Sequence, residues 1–319
     1  MKAQDILGSP PFIVLGMAIA HLVPARWGYG LSRRIARSMA RRRTHLFCTV
    51  RANLAHVLGA DADAATLDRL AEEAIYHAGC TYFDMFHASV KDYREGRITL
   101  RVDEEKWQRV LATLRDGRGT VLVGPHMSNF DLAAQWIAAH GVEMQALSLA
   151  DPNRGTQLIN ALRRHRLILT TPINVNSLRQ AMLRLKQGGI VVTGVDRPVS
   201  EQDEPIPFFD APARLPVGHI RLALQTNSRV VVACCVQEPD GVYALRLSEP
   251  LEMERTGDRA QDVRHNARRV LAIIEGMIRE APAQWLMFVP VWREEDAQGP
   301  KAGAAAPTAT GAADDPQAP

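Results

Sequence analysis

The chain is 319 residues long, 46% hydrophobic and 23% charged, enough to bury a full α/β core without a metal or disulfide staple. Its four cysteines, Cys48, Cys80 and the adjacent Cys234 and Cys235, form no C-x-x-C pair; that argues against a zinc site or redox motif and for a reducing compartment. The net charge of +3 is unevenly spread, because Met1 to Ala60 holds nine basic residues against the single acid Asp5. Such asymmetry points to a polyanion at one end of the molecule.

The N-terminus favours a membrane as that polyanion. Residues 12–23 (FIVLGMAIAHLV) form an apolar run between Pro11 and Pro24, and Arg26, Arg33, Arg34, Arg37 and Arg41 to Arg43 follow it. A spanning helix needs roughly 20 apolar residues, and a signal peptide places its charges ahead of the apolar run. Residues 1–60 are therefore expected to be a helical segment that anchors on an anionic leaflet, the cytoplasmic face of the inner membrane. A core helix with a solvated basic face is the alternative. Nucleic acid is disfavoured, since no basic stretch interleaved with aromatics is present.

Residues 61–295 are expected to form the main domain. Helical spacing of Leu67, Leu70, Ala71, Ala74, Ile75 and Ala78 predicts a helix over 66–90. Two more are predicted over 176–187, capped by Asn176 or Ser177, and over 258–280. Between them lie short apolar runs at 120–123, 145–149, 190–195, 230–236, 243–247 and 286–289. Runs without alternation, separated by helices, predict an α/β fold with a mostly parallel central sheet covered on both faces. The last segment, 296–319, is dominated by Ala, Pro and Gly and has no large apolar residue, so it is expected to be disordered.

The sequence has no G-x-S-x-G elbow, Walker loop or G-x-G-x-x-G fingerprint. What remains is histidine with a carboxylate five positions on, found at His56/Asp61, His87/Asp92 and His126/Asp131. Only His126 follows an apolar β-run (GTVLVG) and precedes a helical stretch (FDLAAQWIAAH). That puts it at the carboxyl end of a strand, where open α/β sheets place their ligands. A hydroxyl becomes an effective nucleophile when imidazole takes its proton. A carboxylate on the other ring nitrogen fixes the tautomer and stabilises the imidazolium; Asp131, in the first helical turn, is placed to supply it. Ser128-x-x-Asp131 also reads as a helix-capping box, which leaves the role of Asp131 open on spacing alone.

The segment Gly124-Pro125-His126-Met127-Ser128-Asn129-Phe130-Asp131 resembles the first motif of the bacterial lipid A biosynthesis acyltransferase family, within the wider lysophospholipid acyltransferases. The likeness continues through Leu183-x-x-Lys186-x-Gly188-Gly189, a β-run ending at Asp196-Arg197, and Pro207-Phe208-Phe209-Asp210 to Pro216-Val217-Gly218. Asp131 stands where many lipid A enzymes carry Glu, and Asp210 where the family's Phe-Phe-Gly block has Gly; the Asp form, with Asp196-Arg197 and Pro216-Val217-Gly218, more nearly resembles the phosphatidylinositol mannoside acyltransferases. The glycerol-phosphate acyltransferases' Glu-Gly-Thr-Arg block is absent.

The resemblance implies O-acyl transfer from an acyl carrier protein or coenzyme A thioester to a lipid or glycolipid hydroxyl, with no metal or bound cofactor. It implies His126, Asp131 and Asp196 as catalytic residues. Arg164, Arg197, Asn129, Phe208 and Phe209 would contact substrate, the two phenylalanines along an acyl groove. A lipid hydrolase or thioesterase on the same base, and an inactive membrane-binding homologue, are the competing readings.

Overall fold

The computed structural model describes residues 22–87, 100–150, 157, 167–201 and 203–293. Most of the apolar run 12–23, the tail 296–319 and Arg164 lie outside the described residues.

Three helices open the described chain: α1 (Ala25–Arg41), α2 (His45–Leu58) and α3 (Ala64–His87). Their ends follow local chemistry. Thr44 caps α2 by accepting from the Phe47 N–H, Gly59 ends it at φ 78°, and Asp63 accepts from the Thr66 N–H as α3 begins. α1 crosses α3 closely, because a Cβ on Gly28 would fall 2.3 Å from the Phe83 ring. Phe47, Val50, Leu54, Leu67, Ala71 and Ala74 make this bundle its own core. On its outer side α1 leaves Trp27, Leu31 and Ile35 at 65%, 49% and 49% exposure, an i, i+4, i+8 stripe beside the exposed Arg34 and Arg41. No helix among the described residues is long and apolar enough to cross a membrane.

The α/β domain contains strands β1 (Arg101–Val102), β2 (Thr120–Gly124), β3 (Met144–Ser148), β4 (Ile168–Pro172), β5 (Ile190–Gly194), β8 (Arg229–Gln237) and β9 (Tyr243–Leu247) in one sheet. Their order is β1-β9-β8-β2-β5-β3-β4. All neighbouring pairs are parallel except β8 with β9. The helices are α4 (Glu104–Arg115), α5 (Phe130–Ala139), α6 (Val175–Lys186), α7 (Gly218–Thr226) and α8 (Arg259–Glu280). A small hairpin, β6 (Ile206–Phe208) with β7 (Ala211–Ala213), stands apart from the sheet.

The mostly parallel sheet expected from the sequence is present, and the reason its strands read as unbroken apolar runs is visible. In β2, Val121 and Val123 join a core with α6, α7 and α8, while Leu122 joins another with α4 and α5. With both faces covered, alternation disappears.

The structure corrects several local expectations. The cap of α6 is Asn174, which forms a reciprocal capping box with Ser177; neither Asn176 nor Ser177 is the N-cap. Residues 286–289 form no strand; their backbone groups bond instead to the His126 carbonyl and the Asn53 side chain. Helix α4 and strands β1, β4, β6 and β7 were not foreseen, being short or only weakly patterned.

Asn53 holds the 287–291 segment against α2. Its amide donates to the Met287 and Val289 carbonyls at 3.1 and 2.8 Å, and its oxygen accepts from the Val291 N–H at 3.1 Å. The side chain is 3% exposed. Asn53→Ala leaves three backbone groups without their partner, two of them in buried bonds, and chemical denaturation is expected to show a loss of about 2–4 kcal/mol.

His219, in the first turn of α7, is also buried. Its Nδ1–H donates to the Pro216 carbonyl, Nε2 has no hydrogen-bond partner among the described residues, and burial lowers its pKa from 6.5 to about 4. Between those values the unfolded chain binds a proton that the folded protein does not. The stability from neutral His219 is therefore complete above pH 6.5 and is lost as pH falls towards 4, by about 3 kcal/mol. Urea unfolding across that range is expected to show this slope in the wild type and a flatter one in His219→Leu.

Candidate active site

The sheet register builds the site. Gly124 at the end of β2 pairs with Gly194 at the end of β5, so the chains leave the sheet side by side and the residues two positions on, His126 and Asp196, meet. His126 Nδ1 lies 2.6 Å from Asp196 Oδ1. Asp196 Oδ2 accepts from the His126 backbone N–H at 2.8 Å and from the Trp285 indole N–H at 2.7 Å.

Asp196 is fully buried and the His126 side chain is 31% exposed. Burial alone would raise the pKa of Asp196, but the neighbouring His126 charge and the hydrogen bonds from His126 and Trp285 hold it below the ordinary carboxylate range. A buried anion on Nδ1 keeps that nitrogen protonated and leaves Nε2 as the basic one. Among the described residues, Nε2 has no hydrogen-bond partner.

The loop carrying His126 is strapped in place. The segment after α8 runs antiparallel to it: the Ser128 N–H donates to the Gln284 carbonyl, Met127 bridges Trp285, and the Leu286 N–H donates to the His126 carbonyl at 2.8 Å. Gln284 exchanges two further hydrogen bonds with the Gln237 backbone at the end of β8, both 2.7 Å. Ser128 turns the chain at φ 44°, and the Phe130 ring stands edge-on to the imidazole at 5.5 Å. Gly194 leaves space for the ring, since a Cβ there would sit 2.6 Å from His126 Cε1.

The residues singled out from the sequence divide clearly. Asp131 is half-buried in the first turn of α5, but the ring nitrogen it was expected to hold is bound by Asp196. The helix cap is Asn129, whose Oδ1 accepts from the Leu132 N–H, so the Ser128 capping box is corrected as well. Asn129 is 0% exposed, three positions along the chain from His126. Phe208 and Phe209 are also buried, packed with Trp285 and Trp292 in an aromatic cluster. Arg197 follows Asp196 and is half-buried.

Of the other spaced pairs, His56 stacks on Trp292 at 4.1 Å and His87 on Phe83 at 5.7 Å. Burial pushes the Cys234 thiol up to about 12, so it offers no thiolate near neutral pH. Trp285, Gly194 and Gln284 were missed. A strand-end glycine two residues before an acid was the available signal for Gly194, but nothing local marks Trp285.

A histidine held by a buried carboxylate at parallel strand ends is equipped to take a proton from a hydroxyl or water. The family described as bacterial lipid A biosynthesis acyltransferase matches residues 11–294. The chain belongs to that family. It is an acyltransferase of lipid or glycolipid biosynthesis by membership. Similar proteins include the phosphatidylinositol mannoside acyltransferases of Mycobacterium tuberculosis, 26% identical over 247 residues and 76% of each chain. That of Mycolicibacterium smegmatis is 25% identical over 252 residues, 76% of this chain and 78% of its own. The crystal structure of the 1-acyl-sn-glycerophosphate (LPA) acyltransferase of Thermotoga maritima aligns with a TM-score of 0.35 at 13% identity, covering 80% of this chain and 98% of that one.

Proposed function

We propose that this acyltransferase moves a fatty acyl chain from an acyl carrier protein or coenzyme A thioester to a hydroxyl of a lipid or glycolipid, with His126 as general base. The observation that carries the reading is the imidazole itself, bound through Nδ1 to buried Asp196 and open at Nε2 on its partly exposed side. The acceptor hydroxyl gives its proton to Nε2 as its oxygen attacks the thioester carbonyl. The tetrahedral intermediate expels the thiolate, which recovers the proton from the imidazolium, leaving an ester and a free thiol. Asp196 stabilises the imidazolium between the two steps. Arg197 and Arg164 are proposed to meet anionic parts of donor or acceptor, and no metal or bound cofactor takes part.

Association with an anionic membrane surface, at the cytoplasmic face of the inner membrane, belongs to the same proposal. The apolar stripe Trp27, Leu31 and Ile35 beside Arg34 and Arg41 suits a helix lying in the headgroup region. The mannoside relatives make a mannosylated phosphoinositide in anionic vesicles the first acceptor to assay.

The test supplies each thioester with and without such vesicles and follows labelled acyl chains. Transfer that requires the acceptor and disappears in His126→Ala, with vesicle flotation unchanged, is the expected result. Free fatty acid released regardless of acceptor would replace transfer by hydrolysis, and equal rates in wild type and mutant would remove His126 from the reaction.

A further inference from the structure

Asp84, on α3, lies outside the His126–Asp196 pair, yet it joins three elements around it. Its Oδ1 accepts from the Tyr29 hydroxyl of α1 at 2.6 Å, and its Oδ2 from the Tyr243 hydroxyl at the start of β9 at 2.5 Å. These lengths fall in the range of charge-assisted O–H···O⁻ bonds, about 2.5–2.7 Å. Each carboxylate oxygen thus grips a different part of the fold, one in the N-terminal bundle and one in the sheet.

Two routes lead from Tyr243 to the catalytic loop. Tyr243 pairs in the sheet with Gln237, the residue that exchanges two hydrogen bonds with Gln284, whose carbonyl accepts from the Ser128 N–H. The Tyr243 hydroxyl also lies beside the Asn129 side chain. Asn129 caps α5 through its oxygen, while its buried amide nitrogen has no hydrogen-bond partner among the described residues. Asn129 is three residues from His126, so a shift of Tyr243 disturbs the floor on which the imidazole loop rests. On the other side, Tyr29 is held firmly: its ring packs edge-on against Phe83 at 5.8 Å, and α1 sits close on α3 at Gly28.

We propose that Asp84 is a positioning residue for the transfer reaction, tying helix α1 through Tyr29 to the Tyr243–Asn129 seat of the His126 loop. The inference rests on His126 acting as the base. It makes α1 more than an anchor: the helix that carries the exposed Trp27, Leu31 and Ile35 stripe also braces the catalytic loop, one carboxylate away.

The experiment is a double-mutant cycle of Tyr29→Phe and Tyr243→Phe in the full chain, read in two ways. Steady-state transfer is measured with vesicle-borne acceptor, and backbone amide exchange is followed over residues 127–132. Each single variant is expected to lower kcat about tenfold while the KM for the thioester holds. The double variant is expected to fall no further than Tyr243→Phe alone, because both act through one carboxylate.

Faster exchange in Tyr29→Phe is expected to reach residues 127–132. Asp84→Asn, which can still bond both hydroxyls, is expected to recover most of the rate lost in Asp84→Leu. Unchanged kcat in both tyrosine variants, losses that multiply in the double variant, or faster exchange confined to α1 and α3 would each overturn the proposal. The exchange measurement does not depend on turnover, so it decides the coupling even if the wild type transfers no acyl chain, the outcome that would sink the proposed reaction instead.

Discussion

Asp196→Asn is expected to lower the rate of acyl transfer by about 10³–10⁴ while leaving the protein folded. Asp196 is surrounded by donors: the His126 backbone N–H and Trp285 indole N–H point at Oδ2, and the His126 ring meets Oδ1. An amide at this position can keep its oxygen towards the first two only by turning its NH₂ towards His126 Nδ1. The ring must then accept at Nδ1 and carry its proton on Nε2, the nitrogen that has to receive the hydroxyl proton. His126→Ala should cost a similar factor, and the double variant little more, because base and carboxylate act as one unit. Asp131→Asn, which leaves Nδ1 with Asp196, is expected to cost far less. Initial rates of the four variants check this. A severe loss in Asp131→Asn with Asp196→Asn near wild type would reverse the assignment.

A second large effect is expected at a residue with no functional group. In Gly194→Ala the new methyl lies 2.6 Å from His126 Cε1 and 3.2 Å from Nε2, closer than van der Waals contact allows. The imidazole has to swing away from Asp196 or be pushed off the line of attack, and a displacement near 1 Å costs about 10² in rate. Stability should not follow activity. Gly194 is exposed at the strand end and its φ is not in the left-handed region, so alanine does not strain the backbone, and any fall in the thermal midpoint comes from the displaced His126 contact and is expected to be small beside the loss of rate. Measuring kcat and the melting temperature together separates a misplaced base from a damaged fold. Wild-type turnover would show that the imidazole works from another position.

Much of the architecture was legible because it depends on short-range pattern. Unbroken apolar runs such as 120–123 and 230–236 need two covered faces, and the sheet supplies both. The amphipathic spacing of α3 and α8, and Asp258 at the start of α8, carry their meaning within a few positions. His126 was identifiable because a strand-to-helix turn is a local event. Short elements such as β1 and β4 were missed because their apolar runs are too brief or too mixed to stand out from loops.

What only tertiary structure decided is which acid serves that histidine. Spacing favours Asp131, five positions away; the fold chooses Asp196, seventy positions away, because parallel pairing of Gly124 with Gly194 brings the two strand exits together. The same register sets Gly194 beside the imidazole, and the return of the chain after α8 brings the Trp285 indole to the carboxylate. The burial of Phe208, Phe209 and Asn129 was decided by tertiary packing for a related reason. A motif states which residues are present, but burial depends on every element that packs over them.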